Sequence, residues 1–403
     1  MSTPRRARLE AIGGRASVTP LELFFDLVFV FALTQVTGWM ADDATVGHVV
    51  RGALIISVVW WCWVGYSWLG NVVRADEGIV RVGLLVAMGG VFVLAITIPE
   101  AFDDAPGGLY GPLVFACCYF FVRAVHVALF WLASREDSQL RGQVVRFLPS
   151  MLTGTVLLLI ASGTTGTTQA LLWLAALVGD YLGTLVGGTN WRLGSAGHFS
   201  ERHALIIIVA LGESIVSIGV GVAQLPISWP IIVASALGLA VAGAMWWAYF
   251  DVTALVTERA LAAAAGAHQI RLARGGYTFM HLPMLIGIIM MSLGLKKVLG
   301  YVGGDDGHTL ADPIRGVPLA ALYGGAALYL LAHVGFTRYL KGRLNTERLA
   351  VVVLLVLVPV VALLPALASL AVLAAVLCAL IGYETHRYAP LRHQIRHHPA
   401  HEH

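Results

Sequence analysis

Charge is what this 403-residue sequence has least of: Asp, Glu, Lys and Arg together make up 12% of it, about half the share usual in soluble domains. So few charges cannot clothe a chain in water when 58% of its residues are apolar and the mean hydropathy is +0.80. A soluble globule is excluded, and a polytopic membrane protein is expected. The net charge of +3 is small and its cations are scattered over short loops, which gives nucleic acid no electrostatic footprint. Cysteine is scarce too. Cys62, Cys117, Cys118 and Cys378 sit inside apolar runs without the CxxC spacing of a zinc or redox site. A Gly-rich phosphate loop, a Gly-x-Ser-x-Gly elbow and a Cys nucleophile with a base are also missing. No apolar h-region precedes Leu21, so the basic stretch 1–20, with Arg5, Arg6, Arg8 and Arg15, is expected to be a cytoplasmic segment and not a cleaved signal peptide.

What the sequence has in abundance is long apolar runs near the ~20 residues a spanning helix needs. They fall at about 21–40, 49–70, 79–99, 110–133, 147–163, 168–187, 203–223, 228–250, 277–300, 317–337, 348–365 and 367–383, which predicts about twelve spans. The last division rests on Pro365 and a short turn after it. Lys and Arg are retained on the cytoplasmic side. Alternate loops carry Arg74 and Arg81, Arg135 and Arg141, Arg259 and Arg271, or Lys341 and Arg343, while the loops between them carry Asp42 and Asp43, Asp103 and Asp104, or Asp305 and Asp312. Both termini are therefore expected in the cytoplasm.

Internal echoes point to a repeat. Glu22–Gln35 and Glu201–Ser217 are each apolar helices with acid near the start; Trp60-Trp61-Cys62-Trp63 is echoed by Trp246-Trp247-Ala248-Tyr249. Tyr119 and Arg123 are matched by Tyr329 and His333. The expected fold is an all-α integral membrane protein of two parallel six-helix repeats, 21–190 and 191–383, followed by a cytoplasmic His-rich tail, 384–403.

Several segments carry a family resemblance: Thr19-Pro-Leu-Glu-Leu-Phe-Phe-Asp26, the Trp60–Tyr66 run, His198-Phe-Ser-Glu-Arg-His203, Ala210-Leu-Gly-Glu-Ser214 and His281-Leu-Pro283. They resemble the signature segments of the bacterial low temperature requirement protein A family, from about residue 19 to 383. The resemblance implies a multi-pass inner-membrane protein and brings with it no agreed substrate.

A bare carboxylate in hydrocarbon costs several kcal/mol, so one kept there faces protein, water or a cation. The candidate ion or substrate path is Glu22, Asp26, Arg123, Glu201, His203, Glu213, Ser214 and His281. Glu22 and Asp26 share a helix face, and are expected near the Glu201–Glu213 segment with Arg123 or His281 among their partners. Glu213 lies near midmembrane, beyond reach of a helix end, and its best reading is functional. Glu22 and Glu201 have an equally good plain reading as acids at a positive helix N-terminus, and Arg123 as a counter-ion. The six Trp residues at 60, 61, 63, 68, 246 and 247 read as packing and interface anchors. His198 and His203 are five apart, about 140° around a helix, which does not match the paired ligands of zinc proteases. No metal is expected at these residues, and no cofactor can be named.

Two function classes follow. One is a transporter or channel for a proton, a small cation or an ion-coupled solute, embedded in the lipid bilayer. The other is a membrane-embedded enzyme or cofactor-binding protein acting on a lipidic or metal-bearing ligand. Net flux separates them, and the absence of an evident nucleophile favours transport.

Overall fold

The computed structural model describes residues 17–135, 137–186, 188, 191–357, 361–390 and 392. The expectations placed on 1–16 and 393–403, including the terminal arginines and the His-rich tail, lie outside the described residues. All the regular structure described is helical, apart from one isolated backbone bridge between Pro313 and Pro365. In chain order the helices are α1 (Pro20–Asp42), α2 (Val46–Gly70), α3 (Gly78–Ile96), α4 (Gly111–Ala133), α5 (Ser138–Ser162), α6 (Gly166–Val186) and α7 (Ala196–Val222). Then come α8 (Trp229–Phe250), α9 (Thr253–Ala263), α10 (Gly266–Leu272), α11 (Met280–Gly303), α12 (Gly316–Lys341), α13 (Thr346–Val356) and α14 (Ala366–Arg387).

Eleven helical stretches among the described residues are long and apolar enough to cross a bilayer. The expected span at 348–365 differs: α13 has 11 residues, which rise roughly 16 Å, about half of a ~30 Å hydrocarbon core. The loop expected between 250 and 277 differs as well. It is helical, as α9 and α10, and α10 runs through a π-helical turn, Ala273–Phe279, into α11. Pro283 lies inside α11 and has no N–H to donate. A widened turn just upstream is a common way for a helix to absorb such a gap.

The starts of the helices follow local chemistry. Thr19 and Glu22 form a reciprocal capping box on α1: Glu22 N donates to Thr19 Oγ1 (3.3 Å), and Thr19 N donates to Glu22 Oε2 (2.9 Å). Asp137 caps α5 by accepting from Gln139 N and Leu140 N, and Asn345 caps α13 by accepting from Arg348 N.

The chain divides into two compact units. The first takes in the residues up to Val36, Arg51–Arg202 and Ala265–Arg271; the second takes in Thr37–Val50, His203–Ala264 and the residues from Leu272 onward. The division thus falls inside α7. Within the first unit, α3 packs along α4 and α5 along α6. Their outward faces are apolar, as at Val82, Leu85, Phe92, Val156 and Ile160, which suits lipid and not water. Within the second unit α11 and α12 are the closest pair. A Cβ at Gly287 would stand 2.7 Å from the Gly325 carbonyl oxygen, so only glycine lets these two backbones touch.

Candidate functional site

In the first unit, five side chains from α1, α2 and α7 converge on a buried ion cluster. Arg202 forks onto Asp26, Nη1 donating to Oδ2 (2.9 Å) and Nη2 to Oδ1 (3.0 Å), and Nη1 also donates to the Glu22 carbonyl (2.9 Å). Arg202 Nε stands 3.8 Å from Glu22 Oε1. Trp63 donates its indole N–H to Asp26 Oδ1 (2.8 Å), and its ring lies 5.4 Å from the guanidinium carbon. Glu22, Asp26, His198 and Arg202 are all 2% exposed or less, so water does not screen them.

The protonation of His198 follows from its neighbours. Asn71 Oδ1 accepts from Gly194 N (2.7 Å), which turns the amide nitrogen toward Ser195 O (2.7 Å) and His198 Nδ1 (3.3 Å). An amide nitrogen only donates, so Nδ1 accepts and the ring proton sits on Nε2, donated to Glu22 Oε2 (3.2 Å). With the imidazole neutral, the cluster sets two carboxylates against one guanidinium. The positive N-terminus of α1 offsets roughly half of the surplus charge.

The sequence reading offered Arg123 or His281 as partners of these acids. The cation on Glu22 and Asp26 is Arg202, with His198 beside it. Arg123 is on α4, its guanidinium over the Phe147 ring at 4.6 Å, and its electrostatic partner is Asp180 on α6, which accepts from Tyr119 Oη (2.6 Å). Glu201 is exposed and accepts from Val18 N (3.1 Å). Trp63 was read as a packing anchor and is instead a buried donor to Asp26. His198 and Arg202 were missed as partners because they follow a loop, where basic residues read as topology signals; their i, i+4 spacing, which puts both on one face, was the available clue.

In the second unit, Glu213 is 1% exposed. It lies nine residues, roughly 13 Å, before the end of α7 at Val222. Ser217 Oγ donates to its Oε1 (2.7 Å). One position along, Ser214 meets Ser292 of α11 (Oγ to Oγ, 2.8 Å). Ser292 spends its own proton on Ile288 O (2.9 Å), so Ser214 is the donor between them. Both hydroxyl oxygens keep lone pairs.

The histidines of this unit form a string. His203 and His281 have ring centroids 5.1 Å apart, and Tyr249 Oη meets His281 Nε2 at 2.8 Å. The Tyr249 ring packs on His333 (5.4 Å), and His333 Nδ1 accepts from Arg348 Nη1 (2.6 Å). Arg348 forks onto Glu384, Nε to Oε1 (2.8 Å) and Nη2 to Oε2 (2.9 Å). Tyr249, Arg348 and Glu384 were not among the expected site residues. Among the described residues, no group of three His, Cys, Asp or Glu is arranged to hold a metal.

The motifs that build both regions have relatives. The family model described as bacterial low temperature requirement A protein matches residues 17–382. An uncharacterized protein of Rhizobium meliloti (strain 1021) is 29% identical over 288 residues, 68% of this chain and 67% of its own length. No solved structure matches.

Proposed function

Because the chain belongs to the bacterial low temperature requirement A family over nearly its whole length, we propose that the ionisable groups inside its apolar helices serve transport. On this reading it is an inner-membrane transporter or channel for a proton, a small cation or an ion-coupled solute. On the same reading both termini face the cytoplasm and the helices form two parallel six-helix halves, as the loop charges and the ordered echoes suggest. The twelfth crossing, beyond the eleven long helices, is the segment 346–365, whose described residues are helical only in α13; it starts just after the end of α12 and returns to Pro313, just before its start.

The observation that carries the proposal is Glu213, a fully buried carboxylate in the body of a spanning helix with the Ser217 hydroxyl donating to it. A carboxylate and neighbouring hydroxyls are the oxygen set that suits a proton or a small hard cation. Ser214, one residue along and paired with Ser292, is a further hydroxyl of the same helix, and His203 and His281 pack edge to face in the same unit. Glu22 and Asp26, held by Arg202, supply a second acidic position, with Arg123 and Glu201 as further polar groups of the first unit.

The test is dissipation of an imposed pH or cation gradient in liposomes holding the purified protein. Wild type should carry flux. Glu213→Gln keeps the volume and loses the charge, and it should retain the wild-type melting temperature while abolishing flux. Glu213→Leu should be neutral or stabilising for the fold, because it removes a buried polar group. Wild-type liposomes no leakier than empty ones would sink the transport reading. A Gln variant that unfolds yet keeps its flux per folded molecule would make Glu213 a packing residue.

A further inference from the structure

The second unit holds a cavity of about 630 Å³ where the ends of α8, α12 and α14 meet the starts of α9 and α13. That volume lies within the range of small-molecule sites and is far larger than a bare phosphate ion. Its lining carries four cations, Arg259, Lys341, Arg343 and Arg348, against two acids, Asp251 and Glu384. Each acid already has an arginine: Glu384 is forked by Arg348, and Asp251 accepts from Arg392 Nη2 (2.6 Å). The charges of Lys341 and Arg343 are therefore not neutralised by the acids of the lining.

The chain turns at this point to place both cations on the same cavity. Gly342, between them, ends α12 with φ +68°, a left-handed conformation that glycine adopts without strain. The remaining wall is divided in character. Trp247, Val256 and Leu344 supply its apolar surface. Thr253 and Thr337 spend their hydroxyl protons on the carbonyls of Ala248 and His333, and so offer the cavity only acceptor oxygens. A ligand matched to this lining has a compact negative group, a hydroxylated or otherwise donating part, and an apolar part.

We propose that this cavity binds a phosphate-bearing amphiphile or ester, its phosphate held by Lys341 and Arg343 and its organic part against Trp247, Val256 and Leu344. The chemistry has two sources, the glycerophosphate head of an anionic phospholipid or a soluble phosphate ester. Basic cavities at the ends of membrane helices suit the first. The site is independent of the flux reading, because its occupancy is measured without transport.

The experiment is thermal unfolding of the purified full chain in detergent, titrated separately with phosphatidylglycerol, phosphatidylcholine and glycerol 3-phosphate. Phosphatidylglycerol should raise the melting temperature saturably, as any ligand of the folded state does, and phosphatidylcholine should not. A rise with glycerol 3-phosphate as large as that with the lipid would assign the site to soluble esters. The Lys341→Gln/Arg343→Gln variant changes two exposed side chains; it should unfold at the wild-type temperature without ligand and lose the ligand-induced shift. Arg81→Gln/Arg146→Gln removes the same charge from the first unit and should keep the shift. No shift with either phosphate compound, or a shift that survives in the Lys341/Arg343 variant, would overturn the proposal.

Discussion

Each unit contains a buried arginine forked onto both oxygens of a carboxylate, Arg202 on Asp26 and Arg348 on Glu384, and the two pairs differ in what surrounds them. Around Arg202 and Asp26 there is a second acid, Glu22, and the side chains of the pair are each 1% exposed. Around Arg348 and Glu384 there is no second acid among the hydrogen-bond partners; Arg348 donates instead to His333 and to the Ala248 carbonyl, and the pair lines a cavity at 6% and 9% exposure. In both places a histidine is held neutral by accepting at Nδ1, and the two differ in what donates to that nitrogen and what the other one meets. His198 is held so by a donor amide on Nδ1 and gives its proton to an acid. His333 accepts from a cation at Nδ1, and its proton-bearing Nε2 meets no acceptor among the described residues. The first arrangement is a sealed clamp with surplus negative charge, and the second is a balanced pair at the edge of a cavity. Equal hydrogen-bond geometry thus conceals unequal electrostatics, because desolvation sets the cost of each charge.

Removing each arginine tests that difference most directly. Arg202→Met leaves two buried acids without their cation and should cost about 3–5 kcal/mol, enough to prevent accumulation of folded protein. Arg348→Met should cost less, since Glu384 can take water from the cavity, and adding Glu384→Leu should recover stability. Denaturation of both variants in detergent checks this, and equal losses would break the comparison. A smaller effect sharpens it. Trp63→Phe keeps the packing but removes the N–H on Asp26, a charge-assisted bond worth roughly 1.5–3 kcal/mol, and its melting temperature should fall between those of wild type and Arg202→Met.

The smallest effect lies outside the spanning helices. Asp312 accepts from Thr309 N (2.6 Å) and Thr309 Oγ1 (3.0 Å), and these bonds hold its carboxyl below the ordinary value. A depressed folded pKa contributes stability above the unfolded carboxylate value of about 4. That contribution is lost as the pH falls through the folded value. Asp312→Asn should therefore lower the melting temperature slightly at neutral pH, and the gap from wild type should close in acid. A gap that widens in acid would reverse the sign of this account.

Much of the fold was legible because it follows from local composition. Apolar runs of about twenty residues became helices, and Thr19 with Glu22 formed the capping box their spacing allows. The division at Pro365 holds, with α14 starting at Ala366, but the helix expected over 348–365 is shorter, because hydropathy counts apolar residues without regard to the backbone and α13 stops at Val356. The candidate site was legible on its acidic side. Glu22, Asp26 and Glu213 stand out because carboxylates are costly in apolar helices. Their partners did not stand out: Arg202 reads as a loop cation, Trp63 as one of several tryptophans, and Arg348 as one more inner charge.

The class of this protein, the sites of its helices and the acids that need explanation can be read from composition and order, because each depends on residues close together in the chain. Which cation meets which acid, which tautomers His198 and His333 hold and where a cavity remains come from packing. Those depend on helix rotation and on contacts as distant in sequence as Asp26 to Arg202 or Arg348 to Glu384. A residue's type fixes what charge it can carry; the face it shares with other helices fixes whether that charge is paired.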